Sequence, residues 1–356
     1  MGEIGDTAAL AQAPRSKGRT EAQLRAIEVD ADTNRKCHTA NDGYIPTLKA
    51  GQSTASKFHN CFRTSEQIFE YLDALVAQNP ALLTRENIST TFEKKTIYAY
   101  KLTAGSPKDE SLYFQSLLHA REWIAGSSNV FALSSILDDI VNKKVTAAHS
   151  YNLYFVPIVN IDGYDISWTE GKRLQRKSAN EVDLNRNWLT IFKNDKTVPP
   201  SSPTYPGTRS ISEPETRGIS HWLHGKASEF AGWVDVHSFG GLILYPYGDT
   251  TDRIGGGVDE KFERLGRNVA VATDGGYTGQ KASSPPLEPA IGALDDYLYR
   301  MYKKPVLTIE VAGSDFVADV STIRTRGTEI FKALTQFAEE VPIFEGKDSA
   351  IIFPED

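Results

Sequence analysis

Five short apolar runs, at 97–102, 111–118, 151–159, 232–236 and 306–311, constrain this chain more than any other feature. Each has the length and the apolar, aromatic and β-branched composition of a strand buried on both faces. Helical stretches separate several of them. The first runs from Thr64, where Ile68, Tyr71, Leu72, Leu75 and Val76 recur at helical spacing behind a Thr64 or Ser65 cap, to a stop at Asn79-Pro80. Strands alternating with helices predict an α/β fold, a mixed sheet with helices on both faces, whose chemistry collects at strand ends. With 356 residues, 40% of them hydrophobic and 24% charged, the chain can build one large core.

Two of these runs stop at a histidine. Residues 111–118 lead into His119-Ala120-Arg121-Glu122, and 232–236 lead into His237. On a helical or tightly turned backbone, His119 and Glu122 fall on the same side, so an imidazole nitrogen and a carboxylate can meet one cation. Alone, such a pair is more often a cap or a surface pair. His237 supplies the third ligand that a catalytic zinc with an open water position needs. His221 and His224 form a rival pair within a probable helix, where a partly exposed amphipathic face accounts for them. Glu310 is a lone carboxylate closing an apolar strand, an expensive placement for an acid without a task. Arg173, Arg176 and the stretch Asp183-Leu184-Asn185-Arg186-Asn187-Trp188 add cations and planar forks suited to carboxylates. By themselves they read as solvated basic loops.

Taken together, His119-x-x-Glu122, the Arg176 segment, Asn185-Arg186-Asn187-Trp188, His237-Ser238 with Leu244-Tyr245-Pro246-Tyr247-Gly248, and Thr308-Ile309-Glu310 are similar, in order and spacing, to the M14 metallocarboxypeptidases of the carboxypeptidase A/B type. The resemblance spans about residues 58 to 345. It implies a mixed, mostly eight-stranded twisted sheet sandwiched between helices, α/β/α. It implies one Zn2+ per chain, held by His119, Glu122 and His237, with Asp183 orienting His119. Glu310 would be the general base and Arg176 the partner of the oxyanion. Asn185 and Arg186 would grip the terminal carboxylate of a peptide or protein substrate, Arg121 would line the next subsite, and Ser238 and Phe239 are further candidate substrate contacts. Ser238-Phe239 and Pro246-Tyr247 become candidate cis peptide bonds.

A gap-free count back from Glu310 carries two further implications of the resemblance. Asp295 falls at the base of the pocket for the terminal side chain, as in the B-type enzymes, which implies a preference for C-terminal Lys and Arg. The competing reading makes Asp295 or Asp296 a cap for a helix beginning at Tyr297. Glu288 falls where the family usually has a mobile tyrosine that bonds the substrate carboxylate, and an ionised glutamate there would repel it.

The expected organisation is an irregular N-terminal arm at 1–57, the catalytic domain at 58–345 and a C-terminal tail at 346–356. Residues 1–20 are polar and lack the apolar stretch of a leader, and the arm is too short and unpatterned for the prodomain of about a hundred residues that the family's proenzymes carry. The two cysteines, Cys37 and Cys61, are read as a disulfide closing a loop of about 25 residues, worth about 3 kcal/mol; two reduced thiols are the alternative. With the Asn87-Ile88-Ser89 sequon they favour secretion. A net charge of −7 offers no footprint for nucleic acid, and no apolar run reaches membrane-spanning length, so neither partner is expected. A monomer is expected. Two other functions fit the same residues less well: a related zinc deacylase of N-acyl amino acids, and a peptide-binding relative without catalysis.

Overall fold

The computed structural model describes residues 19–191 and 198–347. Eight strands form one mixed sheet: β1 (Leu83–Thr90), β2 (Thr96–Leu102), β3 (Ser111–Ser116), β4 (Asn152–Val156), β5 (Phe230–Ser238), β6 (Leu242–Tyr245), β7 (Thr278–Lys281) and β8 (Val306–Val311). Their order is β1-β2-β4-β3-β5-β8-β6-β7. The central β4-β3-β5-β8 block is parallel. Every residue of β3, β4 and β5 is buried, which is why these strands read as continuous apolar runs. β1, β6 and β7 escaped the sequence reading because β1 is half exposed at an edge and the other two are four residues each.

Among the described residues eight α-helices complete the fold: α1 (Glu21–Ala40), α2 (Ser65–Gln78), α3 (Trp123–Val141), α4 (Ile161–Ser167), α5 (Pro214–Gly225), α6 (Val258–Ala272), α7 (Leu294–Tyr302) and α8 (Ile323–Glu345). Neighbouring residues of one strand show that helices lie on both faces. Phe114 of β3 meets Phe337 of α8, with ring centroids 6.4 Å apart. The adjacent Tyr113 meets Trp222 of α5, at 6.2 Å. α2 starts where expected, with Thr64 and Gln67 forming a reciprocal capping box. α3 is long and apolar enough to cross a bilayer, which amends the expectation that no segment is; it is mostly buried, as a core helix is.

The turn after β3 aims the first candidate ligand. Leu117 takes a positive φ of 54° and its side chain lies against Gly126 of α3, where an added Cβ would come within 2.5 Å. Gly126 therefore lets α3 seat directly behind the turn that carries His119, and Glu122 becomes the residue preceding the first turn of α3.

Within the described part of the N-terminal arm the chain is not irregular throughout. Residues 21–40 form α1, capped by a Thr20–Gln23 box, and its buried residues are Asp30, Ala31 and Asn34. Two of the three are polar, so no apolar period announced the helix. Asp30 pairs with buried Arg173 at 2.5 Å, and Arg173 also donates to the carbonyls of Arg121 and Phe316. Further along the arm, Phe58 stacks on Tyr71 at 3.8 Å. Cys37 and Cys61 are joined in a disulfide, with Cα atoms 5.9 Å apart. Residues 1–18 of the arm and 348–356 of the tail lie outside the described residues.

Burial pushes Asp30 above the ordinary carboxylate range in spite of Arg173, so the net worth of the pair is small, but losing one partner strands the other. Asp30→Ala should destabilise the protein by about 3 kcal/mol or more in denaturant melts. Asp30→Asn, which keeps an acceptor for Arg173 and leaves its bonds to the Arg121 and Phe316 carbonyls in place, should lose less.

A second test concerns pH. Glu215 in the first turn of α5 accepts from the amide of Phe92 at 2.8 Å, while its buried Oε2 has no partner among the described residues. Burial pushes its carboxyl up to about 7 from an ordinary 4.5, aided by Glu213 and Asp162. A carboxyl raised in the fold contributes stability that is complete below its unfolded pKa and lost as pH rises through the folded one. The stability of the protein relative to Glu215→Gln should therefore fall by on the order of 3 kcal/mol between about pH 4.5 and pH 8.

Candidate functional site

Strand register assembles the site. β5 pairs with β8 so that His237 lies beside Glu310 and Asp235 beside Thr308, and β3 places Gln115 on the other side of Asp235. These groups share one face of the sheet, because register partners and i, i+2 neighbours point the same way.

His119, Glu122 and His237 converge, with one ligand atom from each lying within 4.8 Å of the others, and all three are buried. The Glu122 carboxylate sits between the imidazoles, at 2.9 Å from each Nδ1. Burial by itself would raise Glu122, but the two imidazoles hold it well below the usual carboxylate range. Two nitrogens and a carboxylate facing one point form a borderline-soft donor set that suits zinc. This is the one group of its kind among the described residues; His221 and His224 are exposed on α5.

The outer nitrogen of each imidazole meets a second carboxylate. His119 Nε2 lies 3.1 Å from Asp183, whose other oxygen accepts two bonds from Arg176 at 3.0 and 2.8 Å. Burial opposes the Asp183 charge, yet Arg176 and His119 hold that carboxyl well below its ordinary range. His237 Nε2 lies 2.8 Å from Asp235, a residue the sequence reading passed over. Its signal was available: a polar residue two positions before a candidate ligand on a buried strand faces the same way.

Glu310 keeps some exposure toward the cleft, while its Oε2 is covered and unpartnered among the described residues. Burial first, then the charge of Glu122, pushes its carboxyl up to about 8; a dication at the triad would act in the opposite sense. Glu310 lines one cleft with the triad, Arg176, Asn185, Arg186, Glu288 and Asp295. Asn185 spends its carbonyl oxygen on the amide of Leu294, at 2.9 Å, and its side-chain NH2 makes no bond among the described residues. Arg186 uses Nη1 on the Asn185 carbonyl at 2.7 Å.

The same cleft is lined by Leu244, Gly248, Ala282, Ala290 and Ala293, most of them small. Asp295 lines it and is buried. The helix there begins at Leu294 with Ala293 in the cap position, so Asp295 lies inside α7 and the capping alternative falls. Burial raises Asp295, which accepts from the amide of Asp296 at 2.9 Å and from Thr308 at 3.2 Å. Asp296 stays behind the wall, fixing the amides of Gly248 and Asp249 at 2.8 and 2.9 Å. Glu288 is exposed at the mouth.

Arg121, Ser238 and Phe239 do not line this cleft; Arg121 is buried with its guanidinium 3.9 Å from the Phe316 ring centre, and Phe316 meets Phe239 edge-on at 4.9 Å. Burial, then Arg176, lowers Arg121 to about 9. Ser238 donates its amide to Glu122 at 3.2 Å, and its buried hydroxyl has no partner among the described residues. Ser238-Phe239 and Pro246-Tyr247 are both cis.

Residues 68–333 match the sequence model of the family described as zinc carboxypeptidase. The chain is similar to carboxypeptidase A4 of Mus musculus, 28% identical over 304 residues that cover 80% of this chain and 71% of that protein. It is also similar to carboxypeptidase B2 of Homo sapiens, 24% identical over 327 residues that cover 85% and 74%. Its fold resembles that of carboxypeptidase A from Helicoverpa armigera, with a TM-score of 0.77, 20% identity and coverage of 91% and 81%. A-type and B-type relatives both occur, so kinship does not choose the terminal side chain.

Proposed function

The chain belongs to the zinc carboxypeptidase family and is a metallocarboxypeptidase, and from that premise we propose that it releases C-terminal Lys or Arg from peptides, with His119, Glu122 and His237 holding one zinc. The observation that carries this reading is a single cleft lined by the triad, Glu310, the donors of Asn185 and Arg186, and Asp295. The donors favour a free carboxylate as the anchor, because a planar fork and an amide NH2 match its two oxygens. An anchor of that kind makes an exopeptidase.

Zinc, when bound, supplies a Lewis acid that polarises the scissile carbonyl and acidifies water. Glu310 takes the proton of the attacking water on its carboxylate and returns it to the leaving amine nitrogen, so it starts and ends the cycle ionised. Arg176, oriented by its two bonds to Asp183, faces the oxyanion with Nη1, which has no partner among the described residues. Asp183 keeps the His119 ring in place.

Asp295 supports the Lys/Arg preference. Its ionisation is suppressed by burial in a pocket of small side chains, and an arriving ammonium or guanidinium reverses that. The attraction is about 4 kcal/mol at 4 Å with an effective dielectric near 20, before desolvation. The Cys37–Cys61 disulfide supports secretion as the setting.

Acyl-dipeptides ending in Arg, Lys, Phe or Leu, with amidated controls and with or without a chelator, test the reading directly. Arg and Lys should leave fastest, from the free acids alone, and the chelator should abolish release. Faster release of Phe or Leu would refute the pocket assignment, and equal cleavage of amides would refute the carboxylate anchor. No release by zinc-loaded protein would favour the peptide-binding alternative.

Glu288 at the mouth sets an acid near the incoming carboxylate. Replacing it with Tyr removes the repulsion and adds a donor, so KM should fall by about tenfold, a gain of about 1.4 kcal/mol, at similar kcat. An unchanged or higher KM would place the repulsion elsewhere.

A further inference from the structure

The two imidazoles of the triad are supported differently. Behind His119, Asp183 is neutralised by the twin bonds from Arg176. Behind His237, Asp235 is 1% exposed and no cation bonds it among the described residues. Its second oxygen accepts instead from the Gln115 amide at 3.1 Å, and Gln115 in turn accepts from the Tyr113 hydroxyl at 2.9 Å. An ionised carboxylate is costly to bury with neutral partners alone. The expense is offset where a cation sits one ring away, and the ring, with Nε2 2.8 Å from Asp235, is held with Nδ1 aimed at the point Glu122 also faces.

We propose that Asp235 is a positioning residue for the metal site: it accepts Nε2–H of His237, fixes that ring's tautomer and orientation through the Gln115–Tyr113 chain, and slows zinc release. Asp235 does not touch substrate or reacting atoms. The inference rests on the reading of His119, Glu122 and His237 as the zinc set. Its partner strands carry it, since the β3–β5–β8 register puts Gln115, Asp235 and Thr308 in one row directly beneath His237 and Glu310.

The test measures zinc transfer to a chromogenic chelator from the full chain. The unmodified protein should hold about one zinc and release it slowly, and Asp235→Ala should release it about 10- to 100-fold faster. Asp235→Asn still offers an oxygen to Nε2–H once the Gln115 amide turns over, with Tyr113 accepting in place of donating, so its release should fall between the two. Metal-free proteins should melt alike. Equal release rates for Asp235→Ala and the unmodified protein would overturn the proposal. If the alanine variant does not fold, histidine ring-proton NMR on the zinc-loaded unmodified protein decides: a slowly exchanging Nε2–H on His237 is expected, and its absence overturns the proposal. Failure of the unmodified protein to bind zinc would instead refute the zinc set itself.

Discussion

Parallel pairing of β5 between β3 and β8 is the constraint from which the rest of the site follows. The pairing stacks two polar rows on one face of the sheet, Gln115–Asp235–Thr308 below and His237–Glu310 above. Backbone hydrogen bonds hold those spacings to within a strand repeat, so His237 and Glu310 keep their separation without help from their own side chains. The turn that brings His119 and Glu122 across is fixed by the close seating of Leu117 on Gly126. A one-residue slip of β5 would turn Asp235 and His237 to the opposite face, where the aromatic contact between Phe114 and Phe337 fills the space.

The electrostatics of the site are those of acids in search of cations. Glu122, Asp183, Asp235 and Asp295 are buried, and Glu310 is nearly so. Arg176 compensates Asp183, and imidazoles partner Glu122 and Asp235. Burial raises Glu310 and Asp295 because neither has a full counter-charge in the protein alone. A dication at the triad would lower Glu310, and on the function proposed above a basic side chain in the pocket would do the same for Asp295.

The N-terminal segment belongs to the same design. Arg19 bonds Asp315 through two nitrogens, at 3.2 and 3.0 Å, next to Phe316. Asp30 holds Arg173, which in turn holds the carbonyls of Arg121 and Phe316. Arg19 and α1 thus brace the segments that carry Arg121 and Phe316, and the Cys37–Cys61 bridge ties the helix to the body.

What the sequence determined by itself were features written in neighbouring residues. The buried central strands show as apolar runs, α2 shows in its period and its Thr64 cap, and His119, Glu122, His237 and Glu310 stand out as polar residues where apolar segments stop. Edge strands β1, β6 and β7 were not legible, because partial exposure or four-residue length leaves no apolar run. Helix α1 was not legible either, because its buried face is polar and its stability comes from partners such as Arg173, more than a hundred positions away. The tertiary structure alone decided that Gln115 holds the outer oxygen of Asp235, that Asp296 fixes the amides of Gly248 and Asp249 while the adjacent Asp295 lines the cleft, and that Arg176 is pinned to Asp183. Those are contacts between segments, set by strand register and helix seating, and the local pattern of a chain carries no record of which distant residue will stand opposite.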